Sequence, residues 1–176
     1  MPSFTDTGRV KRGGAPVNLT DDRLLEMSQF AISRLDGAWF MAIAAELGVD
    51  TAWAMDVAAW KQFSYVFGKR LRKDLIPEPA WPVSFVDAID VLARVLKIED
   101  REVEVVGDSI TVRARECEIQ KAIAKAGIAD CGIVTVQTYQ GLARGLFGKD
   151  LVVSVEHTQN LNRGDPWCEV VISRPR

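Results

Sequence analysis

The strongest constraint on this 176-residue chain is a change in the period of its apolar residues near position 100. Before it they recur every three or four residues, the spacing of one helix face. After it they alternate, the spacing of one strand face. Leu24, Met27, Ala31, Leu35, Ala38 and Ala42 form a first helical stripe. Thr20 is its N-cap, Asp21 and Asp22 favour the positive end of its dipole, and Gly48 stops it. Asp50 caps a second helix with the stripe Trp53, Val57, Trp60, Ser64, Phe67, Leu71 and Leu75, ended by Pro77 and Pro79. Ser84 and Asp87 resemble a capping box for a third, shorter helix carrying Ile89, Leu92, Ala93 and Leu96.

Beyond the change of period, Val103 and Val105 alternate with Glu102 and Glu104. Gly107-Asp108 makes a turn, and Ile110, Val112 and Ala114 alternate with Thr111, Arg113 and Arg115: a β-hairpin with one buried face. Helical spacing returns over residues 116–126 and again from Asp130 or Cys131 to Leu146, although the β-branched Val134, Thr135, Val136 and Thr138 weigh against the latter. Residues 151–158 and 167–173 read as a second hairpin. The sequence therefore predicts an α+β fold, with N-terminal helices packed on a C-terminal antiparallel sheet made of two β-hairpins joined by two helices. It divides into a flexible tail (1–19), a helical subdomain (20–97) and an α+β ligand-binding subdomain (98–176), with residues 77–82 as linker.

Charge and composition remove several function classes. A net charge of −2, from 22 basic and 24 acidic residues, offers no broad surface for nucleic acid. No apolar run reaches the roughly 20 residues of a membrane span. The first 18 residues are polar and Gly/Pro-rich, unlike a signal peptide. Three widely spaced cysteines make no disulfide framework and fit a reducing compartment, so a cytoplasmic location is expected. The run Lys69, Arg70, Arg72 and Lys73 ends the second helix, where cations complement the dipole.

The single histidine and the cysteines carry the candidate chemistry. Strand parity puts Val153, Val155 and His157 on one face, and Cys168, Val170 and Ile172 on the matching face of the partner strand. A turn centred on Asn162-Arg163 sets His157 directly across from Cys168, with Cβ atoms about 5 Å apart. Three readings stay open. Cys168 and His157 can serve as nucleophile and base, with Asp165 orienting the imidazole, since Glu156 and Glu169 face away. Cys117 and Cys131 stand at helix starts that favour thiolate, and with Cys168 and His157 they make a Cys₃His set suited to zinc or iron. The plain alternative is three small apolar core side chains and one satisfied histidine.

Two further features lie in the helical half. Asp36 and Gly37 break the pattern of the first helix, as at a close backbone approach or a site, with Asp36 as a polar ligand contact and Trp39 as a wall. Five tryptophans, four of them in this half, give it an aromatic load that reads as core, as a homodimer face over residues 24–75, or as an aromatic-lined pocket.

Two stretches also carry family likenesses. Leu35-Asp36-Gly37-Ala38-Trp39-Phe40, followed by ELGVDTAWAMDVAAWKQF, resembles an uncharacterised bacterial and archaeal family related to L-2-amino-thiazoline-4-carboxylate hydrolase. Cys117, Cys131, Gly141-Leu142, Gly145 and the ending Gly164-Asp165-Pro166-Trp167-Cys168-Glu169-Val170 resemble the 4-vinyl reductase type of ligand-binding domain. The first cysteine reads Glu116-Cys117-Glu118 where that pattern has Cys-Pro. The likeness implies a ligand cavity between sheet and helices, with Cys117, Cys131, Cys168, Gly164 and Asp165 carried over. The expected function is a cytoplasmic, sensor-like small-molecule-binding protein, as a homodimer, without nucleic-acid or membrane partners. The alternative is a thiol- or metal-dependent hydrolase acting on a C–N or C–S bond of a small heterocycle.

Overall fold

The computed structural model describes residues 19–98 and 100–175; all but the last residue of the expected tail lies outside them. Helix α1 (Asp21–Leu47) starts where the Thr20 side chain accepts a hydrogen bond from Arg23 N–H, and it stops at Gly48, whose φ of +86° suits only glycine. Helices α2 (Val49–Asp74) and α3 (Val83–Val95) follow, then strands β1 (Arg101–Val106) and β2 (Ser109–Ala114). Helices α4 (Glu118–Lys125) and α5 (Gly132–Phe147) lead to β3 (Ser154–Gln159) and β4 (Cys168–Ser173). All four strands join one antiparallel sheet in the order β1-β2-β4-β3, so the two hairpins meet along β2 and β4. The fold is α+β, as the change of period predicts.

One buried cluster draws on both halves of the chain. Ile110, Val112, Val155, Val170 and Ile172 on the inner sheet face pack with Phe85, Ile89 and Leu92 of α3 and Leu142 and Leu146 of α5. Trp60 and Leu71 bring α2 into the same cluster, and Trp81 stacks on Phe85 with ring centroids 5.2 Å apart. The space between sheet and helices, where a ligand cavity is expected, is occupied here by this cluster.

The α2–α5 crossing rests on small residues one turn apart, Ser64 and Gly68 against Gly141 and Gly145. A Cβ at Gly68 would stand 2.5 Å from the Leu142 carbonyl oxygen, one at Gly141 2.8 Å from that of Lys61, and one at Gly145 2.9 Å from the Lys69 nitrogen. Backbone meets backbone, and nothing there has room to shift.

Four sequence expectations need correction. The apolar stripe of α1 is not buried: the helix has no buried residue, and Leu24, Met27, Leu35 and Trp39 each keep over half their surface exposed. Helix α1 turns its edge, with Gln29, Asp36, Phe40 and Ile43, toward the body instead. Ser84 closes no capping box, because its hydroxyl accepts from Ala80 N–H at 2.9 Å, ahead of the helix. Val105, near the turn end of the edge strand β1, is exposed, although the other edge strand, β3, is covered and buries Val155. The last hairpin has its register displaced by two residues: His157 pairs with Val170, and Cys168 pairs with Ala114 of β2. A bulge between His157 and Gln159 and a short 3₁₀ turn at Leu161–Arg163 lengthen the connection beyond a simple turn.

Replacing Gly145 by alanine is expected to lower stability by about 1–3 kcal/mol through overpacking at the crossing. Urea unfolding of the variant against the parent chain measures it.

Candidate functional site

The loop end of the β3–β4 hairpin faces the start of α5, and three chemistry-bearing side chains meet there. His157 lies against Gly132: a Cβ at that glycine would stand 2.7 Å from His157 Nδ1 and 2.9 Å from Asp130 Oδ1. Gly132 thus clears the space in which imidazole and carboxylate face each other. Cys131 precedes it and Cys168 opens β4, so the displaced register still brings His157 and Cys168 together. The His157 Nε2 atom is buried with no hydrogen-bond partner, which marks an unused polar group at the centre of the cluster.

Protonation in the cluster is unequal. The Cys131 thiol, the nearby imidazole and the Leu161 N–H together outweigh burial and draw Cys168 down to about 5. Cys131 is held well above the ordinary thiol range, first by its contact with Cys168 and then by burial. A thiolate at Cys168 beside a retained proton on Cys131 is the arrangement two coupled groups adopt. Cys117 caps α4, its sulfur accepting from Gln120 N–H at 3.4 Å, yet burial pushes this thiol up. Neither helix start lowers its own thiol. Desolvation outweighs the dipole at Cys117, and the lowered thiol lies on a strand.

Asn160 organises the loop above the cluster, and sequence reading passed it over. Its side chain is buried and both polar atoms are bonded: Oδ1 accepts from Asn162 N–H at 2.9 Å and from the Cys131 thiol at 3.8 Å, and Nδ2 donates to Asp130 Oδ1 at 2.7 Å. Asp130, also passed over, accepts from Gly132 N–H at 2.8 Å and pairs with Arg163. Burial opposes its charge, but the Gly132 N–H, Arg163 and His157 prevail and hold it below the usual carboxylate range. Asp165 does not orient the imidazole; its Oδ2 accepts from Asn160 N–H at 2.7 Å and ties the loop ends. The one sequence signal for Asp130 was its place beside Cys131 at a helix start.

Asp36 and Trp39 are not part of this cluster. Asp36 lies at the α1–α2 contact with Asp56, beside the Trp60 indole. Burial raises both carboxyls, and with the like charge of Asp36 added Asp56 reaches about 6. Trp39 is 64% exposed and walls no cavity in this structure. Among the described residues, no group of three or more His, Cys, Asp or Glu stands at metal-holding positions. Of the expected Cys₃His set, Cys117 caps α4, while Cys131, His157 and Cys168 share the cluster at the start of α5.

A family model described as a family of unknown function (DUF6125) matches residues 18–166. The chain belongs to this family. No curated protein matches this DUF6125 chain. Among solved structures, the phenol-responsive sensory domain of the transcription activator PoxR, crystallised with phenol, is similar with a TM-score of 0.53 and 11% identity. The likeness covers 83% of this chain and 74% of that one, and it is a likeness of fold. These matches lend no support to the resemblance to the thiazoline hydrolase or to the vinyl reductases.

Alkylation of Cys168 by iodoacetamide is expected to keep an almost constant rate from pH 8 to pH 6 and to fall as pH passes below about 5. His157→Ala should move that fall to higher pH, read by mass spectrometry of the modified peptide.

Proposed function

We propose that this DUF6125 protein is a sensor-like small-molecule-binding protein whose site is the Cys131–His157–Cys168 cluster under the Asn160 loop. The observation that carries the reading is the buried His157 Nε2, without a hydrogen-bond partner, in a cluster with the lowered Cys168 thiol. A small planar molecule with one hydroxyl or ring nitrogen matches it, because the imidazole and thiolate supply polar contacts where the apolar inner sheet face meets the Asn160 loop. The shared fold with a phenol-responsive sensory domain supports the same class of ligand. A thermal-shift screen of monocyclic phenols and nitrogen heterocycles tests it. A binder should protect Cys168 from alkylation and lose at least tenfold in affinity on His157→Ala. Failure of every compound to protect Cys168, or binding untouched by His157→Ala, overturns the assignment.

One observation favours thiol-dependent hydrolysis of a small heterocycle as a second reading. Cys168 and Asp130 both lie near His157, so the cluster holds the residue types of a nucleophile, a base and a carboxylate, with Asp130 in place of the expected Asp165.

The reading includes a cytoplasmic homodimer. Three free thiols fit a reducing compartment, and among the described residues no helix is long and apolar enough to cross a membrane. The exposed stripe of α1 is the dimer face. Leu24, Met27 and Leu35 lie along its centre, with Trp39 on one flank and Phe30 on the other, all more than half exposed. In an antiparallel pair centred on Leu35, Trp39 of one copy meets the small Ala31 of the other, a self-complementary match. Sedimentation velocity at micromolar concentration is expected to give a dimer, and Leu35→Glu a monomer. A monomeric parent chain removes this part of the reading.

A further inference from the structure

A second feature of the surface lies apart from the thiol cluster. Where α2 and α5 end side by side, they border a cleft of about 500 Å³ lined by Lys69, Arg72, Lys73, Arg144 and Lys149 with Tyr65 and Pro77, and by no acidic residue. Arg72 comes from the run that sequence reading assigned to the α2 dipole. Its guanidinium reaches across to Gly148 at the end of α5, 3.9 Å from where a Cβ would be. The close α2–α5 crossing therefore adds Arg144 and Lys149 to cations that the sequence placed on one helix alone.

Compensation by the dipoles is too small to account for this set. Each helix end carries about −0.5 charge, so the two together leave about four of the five positive charges unbalanced. None of the five forms an ion pair with a described acid; Asp74, the nearest carboxylate in sequence to Lys73, pairs with Arg70. Lys69 instead lies over the Tyr65 ring, 5.8 Å from its centroid. Five like charges held around one concavity, on a chain whose net charge is −2, repel one another unless an anion joins them.

We infer that this cleft binds a small anion carrying two or more phosphate groups. Two arginines supply planar forks for phosphate oxygens, and three lysines supply mobile point charges around them. The volume falls within the range of a small-molecule site, and Tyr65 and Pro77 give an apolar wall on one side. A bare polyphosphate and a nucleoside polyphosphate share this chemistry; only the second would use the Tyr65 wall. The acidic net charge weighs against a long nucleic-acid partner, whose affinity comes from many phosphate contacts over a broad surface.

Isothermal titration with inorganic tripolyphosphate and with ATP, without magnesium at 100 mM NaCl, tests the inference on the full chain. Micromolar binding of either is expected, weakened at least tenfold by the Arg72→Gln/Arg144→Gln double variant and less than twofold by Arg23→Gln on α1. Lys69→Gln/Lys73→Gln provides a second variant should the first lose its helical circular dichroism. ATP binding tighter than tripolyphosphate, and selectively reduced by Tyr65→Ala, assigns a nucleotide; equal affinities assign the phosphates alone. The inference is overturned if neither probe binds below 1 mM, if both double variants bind as the parent does, or if a duplex DNA oligomer binds tighter than both probes. None of these outcomes depends on the Cys168 cluster.

Discussion

Backbone contact between α2 and α5 is the constraint on which the rest of the molecule depends. Four small residues let the two helices approach until a single added carbon would strike a carbonyl or amide of the other. At that separation Leu142 and Leu146 extend from α5 onto the sheet while Trp60 and Leu71 of α2 close over them. The same approach fixes both candidate sites. It anchors α5, whose first turn presents Cys131 and Gly132 to His157, and it brings the last turns of both helices together around the basic cleft. Interior packing of this density propagates a change at one point to its surroundings.

Much of the fold could be read from periodicity, because burial imposes it on every element that lies against the core. The inner strand faces, Ile110 with Val112 and Val170 with Ile172, followed alternation faithfully. Helix α5 formed despite its β-branched residues, since its glycines and leucines pack between α2 and the sheet and tertiary burial outweighs a few tenths of a kcal/mol per residue of propensity. Periodicity identified the apolar stripe of α1 correctly but could not say what covers it. A stripe shows that a face is apolar, and its partner is a matter of tertiary geometry.

The candidate site was legible in membership more than in mechanism. Alternation brought His157 and Cys168 to the same face, and a register displaced by two residues preserves parity, so the pair survived an incorrect turn. Asn160 and Asp130 were missed because their roles come from a loop that folds back on itself, which no local period records. The thiols were misjudged at the helix starts because the macrodipole acts weakly, while removal from water acts on every buried ionisable group. Proton sharing between Cys131 and Cys168 is a property of the pair, invisible in either residue alone.

Helix α1 has a consequence of a different kind. With no side chain buried, it lacks the contacts that make a segment melt together with the core. Its 27 residues form a cooperative unit of their own, held by internal hydrogen bonds, by the edge contact with α2 and by the Gln29 side chain donating to the Arg94 carbonyl at 2.6 Å. Amide hydrogens of α1 therefore exchange through partial opening, well below the free energy of global unfolding. The meeting of Asp36 with Asp56, two carboxyls that repel once both are ionised, works against that small resistance. Proton uptake near pH 6 relieves the repulsion, and so the hold of the first helix on the body tightens in mild acid and slackens as pH rises.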